Sequence, residues 1–226
     1  MRPILIAAVL LASGCATPPV VAIKPNYDFT KLGRVALIDP DDYPNEPGSG
    51  AAVGQAMEPY LLKAGYDLVE RGQVDQILQE QSFSRSANVD PATAGKIGQL
   101  LGVSALLLGR VTSAVQAQSN TFVQTVQDTS YQPVYQTTQF TDRNGNTQVR
   151  QKVANYDVVT TNDQVPETYT TPATIAFTVK LVDVATGEVL WTGSVSSDGD
   201  SVAEAASSAA QNLMKALKKA WPAPHS

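Results

Sequence analysis

The chain has 226 residues, of which 43% are hydrophobic, and this suits one domain with a sizeable core or one domain carrying an insertion. Its net charge is −5 and its pI is about 4.8, so it has no basic surface for a phosphate backbone and nucleic-acid binding is excluded. The composition therefore predicts a folded protein.

The first 14 residues have the pattern of a signal peptide. Arg2 is an early cation, residues 4–12 are apolar, and small residues precede Cys15, the only cysteine of the chain. The apolar run is too short to remain as a membrane-spanning helix, so we expect residues 1–14 to be removed. The alternative is an ordinary secretory signal peptide followed by an incidental cysteine.

Residues 11–15, Leu-Ala-Ser-Gly-Cys, resemble a bacterial lipobox, with Ala12 where leucine is more common. The resemblance implies diacylation of the Cys15 thiol, cleavage after Gly14 and acylation of the new amino group, which leaves no free thiol. Two or more acyl chains anchor a protein stably, at about 0.8 kcal/mol per buried methylene. Ala16 is not the aspartate that usually retains such proteins in the inner membrane, so the resemblance implies the periplasmic face of the outer membrane.

The segment 15–31 is predicted to be an extended tether between membrane and domain. Pro18, Pro19 and Pro25 exclude a helix there. The domain is then expected to occupy residues 32–221.

The first half of this domain is predicted to alternate strands and helices. Residues 34–38 indicate a core strand, and residues 50–64 indicate a helix kinked by Pro59 and ended by Gly65. A short strand is expected at 66–69. An amphipathic helix should follow, with one face made of Val74, Ile77, Leu78 and Gln81.

A second helix and a buried strand complete this half. Asp90 can cap the helix, Pro91 suits its first turn, and Gly102 can end it in the left-handed conformation. Residues 104–111 are almost uninterruptedly apolar, which predicts a central strand covered on both faces.

Residues 112–172 have a different composition. These 61 residues contain 23 Thr or Gln and no Leu, Ile or Met, so they favour extended structure without a large core. Asn144-Gly145 suits a tight hairpin turn because both positions tolerate positive φ. We therefore expect a polar β-arm inserted in the domain; the alternative is a flexible loop.

The remainder is predicted to be a hairpin and a helix. Residues 173–184 and 188–195 indicate strands joined by a turn at 186–187. Asp200 or Ser201 should cap the last helix, with Glu204 completing a capping box, and residues 222–226 should form a disordered tail. The buried stripe of this helix is expected to contain Val202, Ala206, Ala209, Leu213, Leu217 and Ala220.

The predicted fold class is therefore α/β, with a mixed β-sheet flanked by helices and a Thr/Gln-rich β-hairpin insertion. Two stretches resemble the curli-assembly lipoprotein family of CsgG type, and more loosely the small envelope lipoproteins that share its fold. They contain the corner Val69-Glu70-Arg71 with residues 77–80 and 97–112 (IGQLLGVSALLLGRVT), and residues 179–195 (VKLVDVATGEVLWTGSV). The resemblance is more specific to a fold than to one activity.

The sequence offers few candidate sites. His225 is the only histidine and lies in the predicted tail, which excludes His-dependent triads and common zinc sites. An acidic loop with Asp39, Asp41 and Asp42 is expected to be a solvated turn, and a cation site is the alternative. Gly48-Ser49-Gly50 lacks the spacing of a phosphate loop.

The pair Glu70-Arg71 is expected to be a local ion pair that closes the strand-to-helix corner. Its alternative role is to bind a partner.

The expected function is that of a non-enzymatic binding or assembly component, anchored through Cys15. Its partners would be the membrane and envelope proteins, with a homo-oligomer as a further option, and no cofactor is expected. The resemblance implies two alternatives: a secretion-channel subunit for curli-like fibres, or an LpoB-like activator of a cell-wall synthase. The channel ranks second because the arm alternates Gln, Thr and charge, with Arg150 and Lys152 opposite Val149 and Val153. After the 186–187 turn there is also no room for a second spanning hairpin.

Overall fold

The computed structural model describes residues 18–81 and 90–222. These residues form two compact units, one consisting of the described residues up to Gln118 and from Thr171 onward, and the other of Ser119–Thr170. In chain order the elements are β1 (Val20–Ile23), a short 3-10 helix (Phe29–Lys31), β2 (Val35–Leu37), α1 (Ser49–Lys63), α2 (Arg71–Glu80), α3 (Pro91–Leu101), β3 (Ala105–Val115), β4 (Gln118–Thr141), β5 (Thr147–Thr171), β6 (Ala173–Asp183), β7 (Val189–Gly199) and α4 (Val202–Ala220).

The first unit, which we call the domain, contains a five-stranded sheet with the order β1-β7-β6-β3-β2. β2 and β3 are parallel, while the other neighbouring strands are antiparallel, so the sheet is mixed. The predicted α/β class is confirmed. As predicted, the strand after Ser104 is central: β3 lies between β2 and β6.

Helices cover the sheet in two layers. α1 and α4 pack on one face together with Leu107 and Phe177, whereas α2 and α3 pack on the other face together with Leu106 and Leu108. Successive side chains of a strand point to opposite faces, so the unbroken apolar run in β3 supplies both layers. None of the helices in the described residues is long and apolar enough to span a membrane.

The predicted helix caps explain where helices begin and end. Asp90 accepts hydrogen bonds from the backbone N–H groups of Ala92 and Thr93, and Gly102 ends α3 with a φ of 64°. Ser201 caps α4 by accepting from Glu204 N, and the Glu204 carboxylate accepts from Asp200 N. Of the two predicted caps for α4, Ser201 is therefore the one used.

The expected tether is shorter than predicted. Val20–Ile23 pairs with β7 as an edge strand, and Phe29 is buried in the core. The prediction that residues 15–31 lie outside the domain is wrong from Val20 onward, because the antiparallel partners Trp191–Ser194 are distant in sequence.

The strand predicted at 66–69 is reduced to one bridge between Leu68 and Val35. Tyr66 is instead buried against Trp221, with 4.2 Å between the ring centroids, and its hydroxyl donates to the Trp221 carbonyl oxygen. Burial raises the pKa of Tyr66 to about 12. Trp221 thus fixes the end of α4 to the domain, immediately before the expected tail, of which the structure describes only Pro222.

Candidate functional site

The second unit is a two-stranded antiparallel hairpin made of β4 and β5, which we call the arm. Its strands have 24 and 25 residues, several times the length of an ordinary strand. With a rise of about 3.3 Å per residue, each strand is roughly 80 Å long. The hairpin predicted within residues 112–172 is present, but it begins only at Gln118, because β3 extends to Val115 and buries Ala114.

The turn of the arm differs from the predicted two-residue turn. Gly145 has a φ of 82°, whereas the φ of Asn144 is not positive. The Asp142 carboxylate accepts hydrogen bonds of 2.9 Å from the backbone N–H groups of both Asn144 and Asn146. Asp142 N also donates to the Asn146 carbonyl oxygen, so residues 143–145 form a three-residue loop in which only glycine takes the left-handed conformation.

Hydroxyl pairs cross between the strands near the base of the arm. Ser119 and Thr170 are 3.1 Å apart between their hydroxyl oxygens, and those of Thr121 and Thr168 are 2.9 Å apart. Such cross-strand pairs, together with the β propensity of Thr, Val and Tyr, explain why a segment without Leu, Ile or Met forms strands.

The arm exposes apolar side chains on both faces. Of the 20 exposed large hydrophobic side chains in the described residues, 13 lie on β4 and β5. Tyr131 and Tyr135 share one face of β4 and Val126 and Phe140 share the other, because residues two apart point the same way. This corrects the prediction of a uniformly polar arm. The 13 residues are Phe122, Val123, Val126, Tyr131, Val134, Tyr135, Phe140, Val149, Val153, Tyr156, Val158, Val165 and Tyr169.

The charges of the arm are separated along its length. Its three cations, Arg143, Arg150 and Lys152, lie in or near the turn. The Arg150 guanidinium lies 5.5 Å from the centroid of the Phe140 ring, within the range of a cation–π interaction. Apart from Asp142, whose carboxylate holds the turn, the acidic residues of the arm lie farther from the turn: Asp128, Asp157, Asp163 and Glu167.

The acidic loop of the domain is a set of structural contacts. Asp42 accepts hydrogen bonds from Gly48 N at 2.9 Å and Gly50 N at 2.7 Å, at the start of α1. Asp41 forms an ion pair with Arg110 at 3.4 Å. The expectation of a solvated turn is therefore wrong, and the three carboxylates do not converge on one point. Within residues 18–81 and 90–222, no group of His, Cys, Asp or Glu side chains could hold a metal ion.

Glu70 and Arg71 act separately and do not form the expected local ion pair. Glu70 caps α2 by accepting from the N–H groups of Gly72 and Gln73 at 3.0 and 3.2 Å. Arg71 forms an ion pair with Asp39, a largely buried residue after β2. Both residues stabilise the corner before α2, but one does so through the helix end and the other through the sheet.

An open groove of about 640 Å³ lies beside Tyr27, Lys31, Gln99 and Asp183. Asp183 accepts hydrogen bonds from the Tyr27 hydroxyl at 2.7 Å and from two backbone N–H groups of the β6–β7 turn. Burial alone would raise the pKa of Asp183, but these hydrogen bonds hold it below its usual value. Desolvation, followed by the hydrogen bond to Asp183, raises the pKa of Tyr27. These groups attach the N-terminal segment to the sheet.

The predicted lipidation site, Cys15, and the histidine of the tail, His225, lie outside the described residues. Their assignments stay predictions. Of the remaining candidates, the arm alone combines exposure, apolar side chains and separated charge, so it is the candidate functional site.

Comparison with known proteins gives one family and several related folds. Residues 61–127 match the model of the family described as "Curli production assembly/transport component CsgG". The match begins near the end of α1 and ends within β4, so most of the arm lies beyond it. No protein of curated function matches the sequence.

Solved structures with a similar fold include a dodecamer of a PelC variant from Paraburkholderia phytofirmans. That likeness has 13% identity and a TM-score of 0.45, and it covers 89% of this chain and 98% of the other. Lipoprotein GNA1162 from Neisseria meningitidis is 15% identical with a TM-score of 0.43, over 74% of this chain and 81% of the other. The family match confirms the sequence resemblance: over residues 61–127 this chain is similar to the CsgG family of assembly and transport components.

Proposed function

We propose that this protein is a non-enzymatic lipoprotein, anchored at Cys15 to the periplasmic face of the outer membrane, which acts as a binding and assembly component of an envelope complex. The CsgG match supports an assembly- or transport-related role, and the lipobox-like residues 11–15 support the anchor. The arm is the element that contacts the protein partner.

The observation that carries this proposal is the exposure of the arm. An isolated two-stranded hairpin is only marginally stable in water, and this one has no core of its own and is exposed on both faces. Its outer edges carry unpaired backbone groups, and its side chains include aromatic residues, which are enriched in protein interfaces. A partner that covers these surfaces would stabilise the arm. Its cationic end would suit a negatively charged part of that partner.

The channel remains the second candidate, because hairpins could in principle assemble into a shared barrel. A strand needs only about 9–11 residues to cross a bilayer, and its apolar residues must form one lipid-facing row. The arm has strands more than twice as long, with apolar residues on both faces. Pro133 and Pro166 each remove a backbone donor from strands that a barrel would pair on both sides.

The decisive experiment replaces residues 119–170 by a short Gly/Ser linker and compares partner capture after cross-linking in the envelope, followed by mass spectrometry. We expect the variant to fold and to lose the partner. A finer test substitutes Tyr131 and Tyr135, exposed by 68% and 56%, with serine. The matched control is Leu62→Ser on α1, which removes a side chain exposed by 54%. Equal capture by wild type and the linker variant would contradict the assignment of the arm.

Conductance in planar bilayers separates the two candidates. The assembly component should give no unitary currents. Reproducible currents from the wild type that are lost in the linker variant would make the channel the better assignment.

The anchor is tested separately with Cys15→Ser. We expect this variant to lose both incorporation of a palmitate analogue and membrane association. Incorporation equal to that of the wild type would refute lipidation at Cys15.

A further inference from the structure

β1 is an apolar edge strand whose outer side has no partner strand in the sheet formed by the described residues. It pairs only with β7, and all four of its residues are exposed. Val20, Val21 and Ile23 are 75%, 39% and 47% exposed. Val20 and Ala22 point to one face of the sheet and Val21 and Ile23 to the other, so the edge is apolar on both sides. Folded proteins usually protect such an edge with charges or cover it.

The spacing between β1 and Cys15 restricts where this edge can lie. Val20 is five residues after Cys15, and five residues span at most about 18 Å when fully extended. Pro18 and Pro19 favour this extended form, because their fixed φ excludes compact helical structure. A compact domain of this size is roughly 40 Å across, so the tether is too short to let the domain turn β1 away from its anchor point.

We propose that β1 lies against the lipid surface itself, with Val20, Val21 and Ile23 inserted at the level of the lipid headgroups. This inference rests on the proposed lipidation of Cys15. The occupant of the exposed edge is thus a phospholipid surface, selected by the length of chain between the acylated residue and the strand.

The chemistry of the edge fits that environment. Headgroups and interfacial water can pair with the outward N–H and C=O groups of β1, while the acyl boundary accepts its apolar side chains. Because the strand would enter with its edge first, its two apolar faces are both covered. The charge that follows the strand, Lys24, already forms an ion pair with Glu188, so insertion does not bury an unpaired cation at this end.

The test uses the full-length lipidated protein in phosphatidylethanolamine/phosphatidylglycerol vesicles. Since Cys15 is the only cysteine and is acylated, Val20→Cys, Val21→Cys and Ile23→Cys each introduce a unique thiol for an environment-sensitive fluorophore. Leu62→Cys and Leu100→Cys are matched controls on helices, at residues exposed by 54% and 51%. Nitroxide-labelled lipids should quench the three β1 positions at least several-fold more than the controls.

The outcomes distinguish this inference from the anchor on which it rests. Quenching at β1 equal to that of the controls, with the N-terminal peptide acylated by mass spectrometry, overturns the β1 contact and leaves the anchor intact. An unacylated N-terminal peptide overturns both. A fluorescence change that depends on protein concentration and occurs without lipid assigns the edge to a second copy of the chain and also overturns the proposal. Using three positions guards against a variant that disturbs the strand.

Discussion

The domain and the arm are both rich in β-strands, but their strands are stabilised in different ways. In the domain, β3 and β6 bury alternate or successive residues under two helix layers. In the arm, β4 and β5 pair only with each other and remain exposed. The difference shows that β propensity and backbone pairing are enough to form a strand, whereas Leu, Ile and Met recruit a covering layer.

The largest expected difference between the two regions comes from burying a charge. Leu107→Asp places a carboxylate in the centre of the sheet, where Leu107 has no exposed surface, and the cost of several kcal/mol is comparable to the whole stability of a domain. Val126→Asp makes the same change on the arm at a residue exposed by 45%. Thermal unfolding by circular dichroism should show loss of the folded domain only for Leu107→Asp. Similar melting of both variants would contradict the contrast.

Truncating the tryptophan at the end of α4 should have the next largest effect. Trp221 is 1% exposed, so Trp221→Ala leaves a cavity beside Tyr66 and should lower the free energy of unfolding by about 3–5 kcal/mol. Tyr131→Ala, on the exposed arm, is the control and should leave the melting of the domain unchanged. Denaturant unfolding measures both. A small effect of Trp221→Ala would mean that the domain ends before this residue.

Removing a helix cap should have a smaller effect. Ser201→Ala deletes the acceptor for Glu204 N and should cost about 1 kcal/mol, which corresponds to a fall in Tm of about 2–4 °C. Ser208→Ala lies within α4 and serves as the control, because alanine there favours the helix slightly. Differential scanning calorimetry should separate the two variants, and an equal Tm would argue against the cap.

The smallest effect concerns the turn of the arm under acid conditions. Hydrogen bonds from backbone N–H groups, that of Asn146 first, hold the pKa of Asp142 below its usual value. The stabilisation of the turn is therefore present above the ordinary aspartate pKa, about 3.9, and is lost as pH falls through the lower pKa of the folded state. The amide NMR signals of Asn144 and Asn146 should shift below about pH 4. In Asp142→Asn this titration should be absent, and its persistence would assign the shift to another group.

Local signals in the sequence predicted much of the domain. Asp90, Gly102 and Ser201 act on N–H or C=O groups within a few residues, so their roles can be read from neighbouring positions. The apolar run in β3 likewise identifies a central strand, because only such a strand is covered on both faces.

The missed features depend on partners that are distant in sequence. β1 was assigned to the tether because its partner β7 follows about 170 residues later. The ion pair between Arg71 and Asp39 joins residues 32 positions apart, which no periodicity shows. For the candidate site, the Thr/Gln composition and the Asn144-Gly145 turn predicted the arm. Its apolar side chains were overlooked because Val, Tyr and Phe are scattered over both faces without a single row.

The place of the arm between β3 and β6 also affects the order of folding. These two strands pair along ten positions, from Ala105 with Asp183 to Val115 with Thr174, although nearly 60 residues separate the inner pair. Closing such a long loop at random is slow, because its entropy is lost before any contact forms. A hairpin that closes from its turn brings its own ends together through local contacts. Zippering of the arm from Asp142 would therefore deliver β3 to β6 and make the central strand pair a fast step.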